Sequence, residues 1–84
     1  MDIRSSLRQF IEQRLLEYGD TPDFDGDESL ILSARLDSLA VLFIVMHIEQ
    51  EFGVYFDELS FELEDFDTLD QMVVLVENGL NDGR

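Results

Sequence analysis

The chain contains no cysteine, and only one of its 84 residues is proline. The absence of cysteine excludes a disulfide framework, a thiolate nucleophile and a sulfur-ligated zinc site, so the chain has no thiol chemistry of its own. A single proline together with 45% hydrophobic residues is typical of a globular helical domain, because disordered chains are poorer in apolar side chains and richer in proline.

The sequence also lacks any uninterrupted apolar stretch of membrane-spanning length, and its first residues are not a charged segment followed by an apolar one. We therefore expect a cytoplasmic protein that is neither secreted nor inserted into a membrane. The length predicts a single domain over residues 1–84, with a small core and little room for a buried cleft. We accordingly expect a protein that is not an enzyme.

Basic residues are scarce: five stand against 20 acidic ones, which gives a formal net charge of −15. They are Arg4, Arg8, Arg14, Arg35 and Arg84, spread along the chain. Such a charge repels nucleic acid and anionic membranes and attracts proteins with basic patches. We expect a monomer whose partners are proteins.

Apolar residues at spacings of three and four predict a first amphipathic helix over residues 2–18. They are Ile3, Leu7, Phe10, Ile11, Leu15 and Tyr18. Gly19 ends this helix, and residues 19–26 form a solvated loop, since proline, glycine and aspartate dominate them. Phe24 and Leu30 are expected to anchor the loop.

Residues 38–52 are the most apolar segment and predict a second helix, with Asp37 as its N-cap and Gly53 as its end. A short helical turn is expected after it, with Asp57 as its cap and Leu59 with Phe61 or Leu63 as its apolar residues.

Thr68 and Gln71 form a capping box that predicts the start of the last helix, and Asn78 with Gly79 predicts its end. Its inward stripe is Leu69, Met72, Val73, Val76 and Leu80. No internal repeat and no strand-like alternation compete. The fold class is therefore all-α: a small four-helix bundle of three main helices and one short helix, with a long first loop.

The second helix is apolar on two sides. At about 100° per residue, one side carries Val41, Ile44, Val45, Ile48 and Phe52, enough to form the core face. The nearly opposite side carries Leu39, Leu42, Phe43, Met46 and Gln50. A helix buried all round is the alternative, but a bundle this small has few helices to cover it, so we interpret the second side as an interaction surface.

Ser38 begins this helix, where unpaired backbone N–H groups and the helix dipole stabilise an anion. A serine in this position is more often a simple cap. It is not paired as a hydrolase nucleophile, because the only histidine, His47, is nine residues later on the same helix, about 13 Å along the axis. We expect His47 to be a partly exposed surface imidazole, with a ligand or a pH switch as the minor alternative.

The acidic segments do not predict a metal or catalytic site. Asp23, Asp25 and Asp27 alternate as in a calcium loop, but the sixth and twelfth positions from Asp23 are Glu28 and Ala34 instead of glycine and glutamate. A second acidic run is interpreted as a solvated face, not as a carboxylate pair for acid/base catalysis. Its members are Glu58, Glu62, Glu64, Asp65, Asp67 and Asp70.

Taken in order along the whole chain, these segments resemble the acyl carrier protein family and its aminoacyl and peptidyl relatives. Besides the amphipathic first helix and the acidic loop, the matching pieces are residues 36–39 (Leu-Asp-Ser-Leu), residues 48–54 (Ile-Glu-Gln-Glu-Phe-Gly-Val) and residues 66–69 (Phe-Asp-Thr-Leu). Each piece is weak alone, and the spaced set is specific.

The resemblance implies that Ser38 carries a 4′-phosphopantetheine arm, which a phosphopantetheinyl transferase attaches from coenzyme A. The thiol of the arm holds a substrate as a thioester, so the reactive group comes from the cofactor and not from the chain. The resemblance also implies that Asp37 and Leu39 belong to the cofactor site. Loading (adenylating) and acyl-transferring enzymes are then expected to dock on the second helix, through Leu39, Leu42, Phe43 and Met46.

Three positions depart from the family pattern. Arg35 replaces a common glycine, so that residues 33–36 look more like the lead-in of D-alanyl and peptidyl carriers, and it is interpreted either as a partner of the arm's phosphate or, preferably, as a surface arginine. Asp57 replaces a common proline. Ala40 and Phe43 stand where fatty-acid carriers often have acidic residues, which predicts a more apolar partner contact, with the acidic loops supplying mainly steering.

The alternative function is a carrier-like interaction module that uses the apolar face of the second helix and lacks the arm. Fatty acyl, aminoacyl, hydroxy acid and polyketide cargoes are all compatible with the sequence.

Overall fold

The structure, a computed structural model, describes residues 2–56 and 62–82. Its elements are helix α1 (Ile3–Glu17), helix α2 (Ser38–Phe52), a 3-10 turn (Leu63–Phe66) and helix α3 (Leu69–Asp82). No strand occurs within these residues. The all-α class and the three main helices are confirmed, while the fourth element is a single 3-10 turn. The predicted cap Asp57, with Leu59 and Phe61, lies outside the described residues.

Helix α1 forms as its periodicity predicts. Asp2 caps it by accepting hydrogen bonds from the backbone N–H of Ser5 (3.2 Å) and from its hydroxyl (2.7 Å). Leu7, Ile11 and Leu15 are fully buried. Tyr18, the last apolar residue of the predicted helix, is instead the C-cap just outside it and is 45% exposed.

The long loop between α1 and α2 is held by its apolar residues, as predicted. Leu30 is fully buried and Phe24 is 7% exposed. Arg8 of α1 contacts Phe24 twice, because its guanidinium lies 4.5 Å from the ring centroid and donates a 2.9 Å hydrogen bond to the backbone carbonyl. The loop therefore packs onto the bundle although its composition is polar.

Asp67 fixes the second half of this loop, and its assignment to a solvated face is wrong. The residue is 9% exposed, and its Oδ1 accepts hydrogen bonds from the Ser29 hydroxyl (2.9 Å) and from the backbone N–H groups of Ile31 (2.8 Å) and Leu32 (3.0 Å). Its carbonyl accepts from the N–H of Leu30 (2.7 Å). Burial alone would raise the pKa of Asp67, but these hydrogen bonds hold it below its ordinary value.

The start of α3 is the predicted capping box. The Thr68 hydroxyl accepts from the N–H of Gln71 and the Gln71 side chain accepts from the N–H of Thr68, both at 3.1 Å. Four of the five predicted inward residues are buried: Leu69, Met72, Val73 and Val76.

The end of α3 differs from the prediction. Asn78 and Gly79 do not end the helix, which continues to Asp82. Leu80 is 46% exposed, so its place in the predicted inward stripe is wrong; Val76 is the last residue of α3 within the described buried core.

Within the described residues, no helix combines the length and apolarity that crossing a membrane requires. The 3-10 turn contributes Phe66, which is fully buried, whereas Leu63, the alternative to Phe61 in the predicted short turn, is 42% exposed. The 3-10 turn and α3 together close the core beside α1 and α2.

Candidate attachment site at the start of helix α2

Ser38 is the first residue of α2, and its side chain is exposed. The preceding Asp37 has an extended backbone, and its Oδ1 accepts a 3.0 Å hydrogen bond from the N–H of Ala40, so it caps the helix as predicted. The geometry expected of an attachment point is therefore present: a solvent-facing hydroxyl at the electropositive end of a helix.

The electrostatic setting of Ser38 tolerates an anion. The first turn of α2 contains no acidic side chain, and the dipole of its 15 residues adds partial positive charge there. The Asp37 carboxylate already accepts a hydrogen bond from this helix end and so offsets part of its positive charge. A phosphodiester on Ser38 would be stabilised by the helix end at a cost of repulsion from the Asp37 carboxylate.

Asp37 is held by a second donor that sequence reasoning missed. The Tyr18 hydroxyl, at the C-cap of α1, donates a 2.8 Å hydrogen bond to Asp37 Oδ1. The hydrogen bonds from the N–H of Ala40 and from Tyr18 lower the pKa of Asp37, while burial and the nearby carboxylate raise the pKa of Tyr18. The two residues are 19 positions apart, so no local pattern links them.

Two open depressions lie beside the site. One, of about 370 Å³, is apolar and is lined by Ser38, Leu39, Val41, Leu42 and Leu63. The other, of about 530 Å³, is more polar and is lined by Tyr18, Gly19, Asp20, Ala34, Arg35 and Asp37. Leu63 thus extends the apolar surface of α2 onto the 3-10 turn, which the sequence did not indicate.

The two sides of α2 are those predicted. The core side is buried at Val41, Ile44, Val45 and Ile48, and Phe52 is half-buried. The other side exposes Leu39 and Leu42 (53% each), Phe43 (37%) and Met46 (47%), with Gln50 also exposed. Ala40 is fully buried, so of the two positions that depart from the fatty-acid carriers only Phe43 changes the surface.

The edge of this apolar side next to α1 carries one cation. The Arg14 guanidinium lies 5.5 Å from the Phe43 ring centroid and 5.1 Å from that of Phe10. It also pairs with Glu17 at 2.7 Å. The Arg14–Glu17 pair is neutral as a unit, so this edge of the exposed apolar face adds no net charge.

Arg35 is not an ordinary surface arginine, because its side chain is only 17% exposed and is paired within the loop. Its side chain donates to Asp20 (3.0 Å) and Glu28 (2.8 Å) and to the backbone carbonyls of Asp23 (3.0 Å) and Thr21 (2.9 Å). These hydrogen bonds occupy all three nitrogens of the guanidinium and clamp the first half of the loop. They also lower the pKa values of the Asp20 and Glu28 carboxyls.

His47 faces α1 and makes no contact with Ser38, as helix geometry predicts. The imidazole stacks on Phe10 with ring centroids 4.4 Å apart, and its Nε2 is 3.0 Å from the Ser6 hydroxyl. It is half-buried, and this burial lowers its pKa. The imidazole therefore packs in the contact between α1 and α2 and does not lie free on the surface.

No group of three or more potential metal ligands occurs in the part of the chain that the structure describes. In the acidic loop, the Glu28 carboxylate accepts from Arg35 (2.8 Å) and from the N–H of Asp25 (3.1 Å), so this carboxylate stabilises the loop itself.

The comparisons with known proteins add no relative: neither a family model nor a curated protein matches the chain. The membership in the acyl carrier protein family thus stays a prediction that depends on the spaced motifs and on the geometry of Ser38.

Proposed function

We propose that the protein is an acyl or aminoacyl carrier that bears a 4′-phosphopantetheine arm on Ser38 and presents a thioester-bound substrate to partner enzymes. The observation that carries this proposal is the position of Ser38, exposed and first in α2 directly after the capping Asp37. An N-terminal hydroxyl accommodates a bulky anion without disturbing the core, because all the buried residues of α2 lie from Ala40 onward.

The attachment reaction needs little from the chain itself. Ser38 Oγ attacks the phosphorus next to pantetheine in coenzyme A, an Oγ–P bond forms, the diphosphate P–O bond breaks, and the adenosine bisphosphate leaves. The hydroxyl proton goes to a base of the transferase. When attached, the arm supplies the thiol that the cysteine-free chain lacks. The chain contributes an accessible nucleophile and a helix end that favours the phosphodiester.

The partner enzymes are proposed to dock on the exposed apolar side of α2. Leu39, Leu42, Phe43 and Met46 are all more than a third exposed, and Leu63 continues the surface across the depression beside Ser38. No charged residue interrupts α2 between Ser38 and Met46. We propose that the transferase, the loading enzyme and the acyl-transferring enzymes contact this patch through apolar side chains. The net charge of −15 attracts basic surface patches on these enzymes and so steers them toward the protein.

The finer assignments belong to the same proposal. The fold is proposed to be the carrier-type four-helix bundle, with the 3-10 turn at Leu63–Phe66 in the place of its short helix. The compartment is proposed to be the cytoplasm, where coenzyme A and adenylating enzymes meet the chain.

The mass of the intact protein tests the attachment. After incubation with coenzyme A and a broad-specificity phosphopantetheinyl transferase, the wild type is expected to gain one phosphopantetheine per chain, and Ser38→Ala none. Ser33→Ala is the matched control, because Ser33 is also an exposed serine near the end of the loop and its variant should be modified like the wild type. A wild-type chain that gains no mass would reject the carrier and favour the arm-free interaction module.

A further inference from the structure

The geometry points to Tyr18 as a positioning residue for the modification of Ser38, which acts by fixing the carboxylate of Asp37. This inference rests on the proposed function and adds a residue that no motif marks. Tyr18 lies at the end of α1, while Asp37 and Ser38 begin α2, so the hydrogen bond between Tyr18 and Asp37 joins two elements at the attachment site.

The carboxylate of Asp37 is held in one orientation. Its Oδ1 accepts both the Tyr18 hydroxyl (2.8 Å) and the N–H of Ala40 (3.0 Å), while Oδ2 carries neither of these bonds. One donor fixes the position of Oδ1, and the second, from another direction, limits rotation of the carboxylate plane. The second oxygen, Oδ2, is therefore held in a defined direction at the start of α2, where Ser38 follows Asp37 in the chain.

Tyr18 is itself well placed to do this, because the backbone around it is fixed. Its N–H donates to the carbonyls of Arg14 and Leu15 (both 3.1 Å), and the N–H of Gly19 donates to Leu16 (3.0 Å). Gly19 has φ 80°, the left-handed conformation that ends helices, and a side chain there would be strained. The backbone of Tyr18 is thus fixed at the end of α1. Its hydroxyl reaches Asp37 across the polar depression that both residues line.

The consequence concerns recognition by the transferase. A partner that binds the Asp37 carboxylate finds it already in one orientation. The carboxylate therefore loses little conformational freedom on docking. Without the Tyr18 hydroxyl, the cap bond to Ala40 remains, but the carboxylate gains alternative orientations. The loss falls on docking and not on the transfer step, because the nucleophile Ser38 is unchanged.

Steady-state kinetics of arm transfer test this, with coenzyme A and a broad-specificity transferase as the probe. Tyr18→Phe keeps the ring and removes only the hydroxyl; we expect the KM for the protein to rise about three- to tenfold, with kcat unchanged. Ser29→Ala is the matched control, since it removes a side-chain hydroxyl bond to another carboxylate, that of Asp67. Its KM should equal that of the wild type.

A double-mutant cycle shows whether Tyr18 acts through Asp37. Asp37→Ser keeps an N-cap hydroxyl but removes the carboxylate. In this background, Tyr18→Phe is expected to change KM no further. An unchanged KM for Tyr18→Phe alone, or an equally large rise in the Asp37→Ser background, would overturn the inference and leave the proposed function intact. A wild type that is not modified at all would overturn both.

Discussion

Gly79 of α3 lies against Val54, so closely that a Cβ at position 79 would collide with Val54 Cγ1 and lie 3.2 Å from Cγ2. Val54 is 7% exposed and follows the end of α2, so the contact joins the last helix to the segment after the second. The glycine that the sequence predicted as a helix end is instead a place where α3 passes close to another segment. Its missing side chain makes that approach possible.

This contact predicts that Gly79→Ala destabilises the protein, although alanine is the better helix former by about 1 kcal/mol. We expect the free energy of unfolding to fall by about 1–3 kcal/mol, because Val54 must move out of a packed position. Urea denaturation measures this. Asn78→Ala is the control: Asn78 is an exposed neighbour in the same helix and its replacement should stabilise by a few tenths of a kcal/mol. A Gly79→Ala variant as stable as the wild type would show that α3 and Val54 are far enough apart to accommodate a methyl group.

At Ala34 we expect the opposite result, a substitution that raises the free energy of unfolding. Its φ is 67°, the left-handed region that disfavours a side chain, and it is the one described non-glycine residue with positive φ. Replacing it with glycine should stabilise the protein by about 1 kcal/mol, since the strain is relieved. Ala40→Gly, a buried helical position, is the contrasting control and should destabilise. Equal losses in both variants in urea denaturation would contradict the prediction.

Asp67 predicts a loss of stability that depends on pH. Asp67→Ala removes three hydrogen bonds to one carboxylate oxygen, and we expect a loss of about 2–4 kcal/mol near pH 7. The folded pKa of Asp67 is below the unfolded value of 3.8, so its charge stabilises the fold above that pH and ceases to do so as the pH falls through the folded pKa.

Chemical denaturation between pH 7 and pH 2 should therefore show the difference between wild type and Asp67→Ala shrinking in the acid range. Glu64→Ala, at an exposed acidic position three residues away, is the control and should lose little at any pH. A difference that stays constant down to pH 2 would show that the charge of Asp67 is not involved.

Phe43 predicts how partners meet α2. Phe43→Glu should lower kcat/KM for arm transfer by about tenfold, because a carboxylate is placed in the centre of an apolar contact. The penalty should persist at high salt, whereas the wild-type rate falls with salt only through loss of steering. Val74→Glu makes the same kind of change on α3, where Val74 is 52% exposed, and should leave kcat/KM near the wild-type value. Equal rates for wild type and Phe43→Glu would count against the apolar patch.

The site itself was largely predictable, because its parts are local. Asp37 and Ser38 are adjacent, the cap needs only a short acceptor before an apolar run, and the two sides of α2 follow from a period of 3.6 residues. The same holds for the capping box of α3 and for the cap and core stripe of α1 up to Leu15. These features depend on residues within one or two turns of each other.

The contacts that hold the site in place were not predictable, because they join residues far apart in the sequence. Arg35 was expected at the surface and instead clamps the loop through Asp20 and Glu28. Asp67 was expected in solvent and instead binds residues 36 and 35 positions before it. An aspartate or arginine has the same local pattern whether it is solvated or paired, so only the fold distinguishes the two.

The amino-acid sequence by itself determined the number of main helices, the start of α2 at Ser38 and the absence of a thiol, since each depends on composition or on near neighbours. The tertiary structure alone decided that α3 runs past Gly79, that Leu63 joins the apolar patch and that Tyr18 reaches Asp37. The physical reason is that packing and hydrogen bonding between separate elements set these features, and neither is encoded in the spacing of residues along one helix.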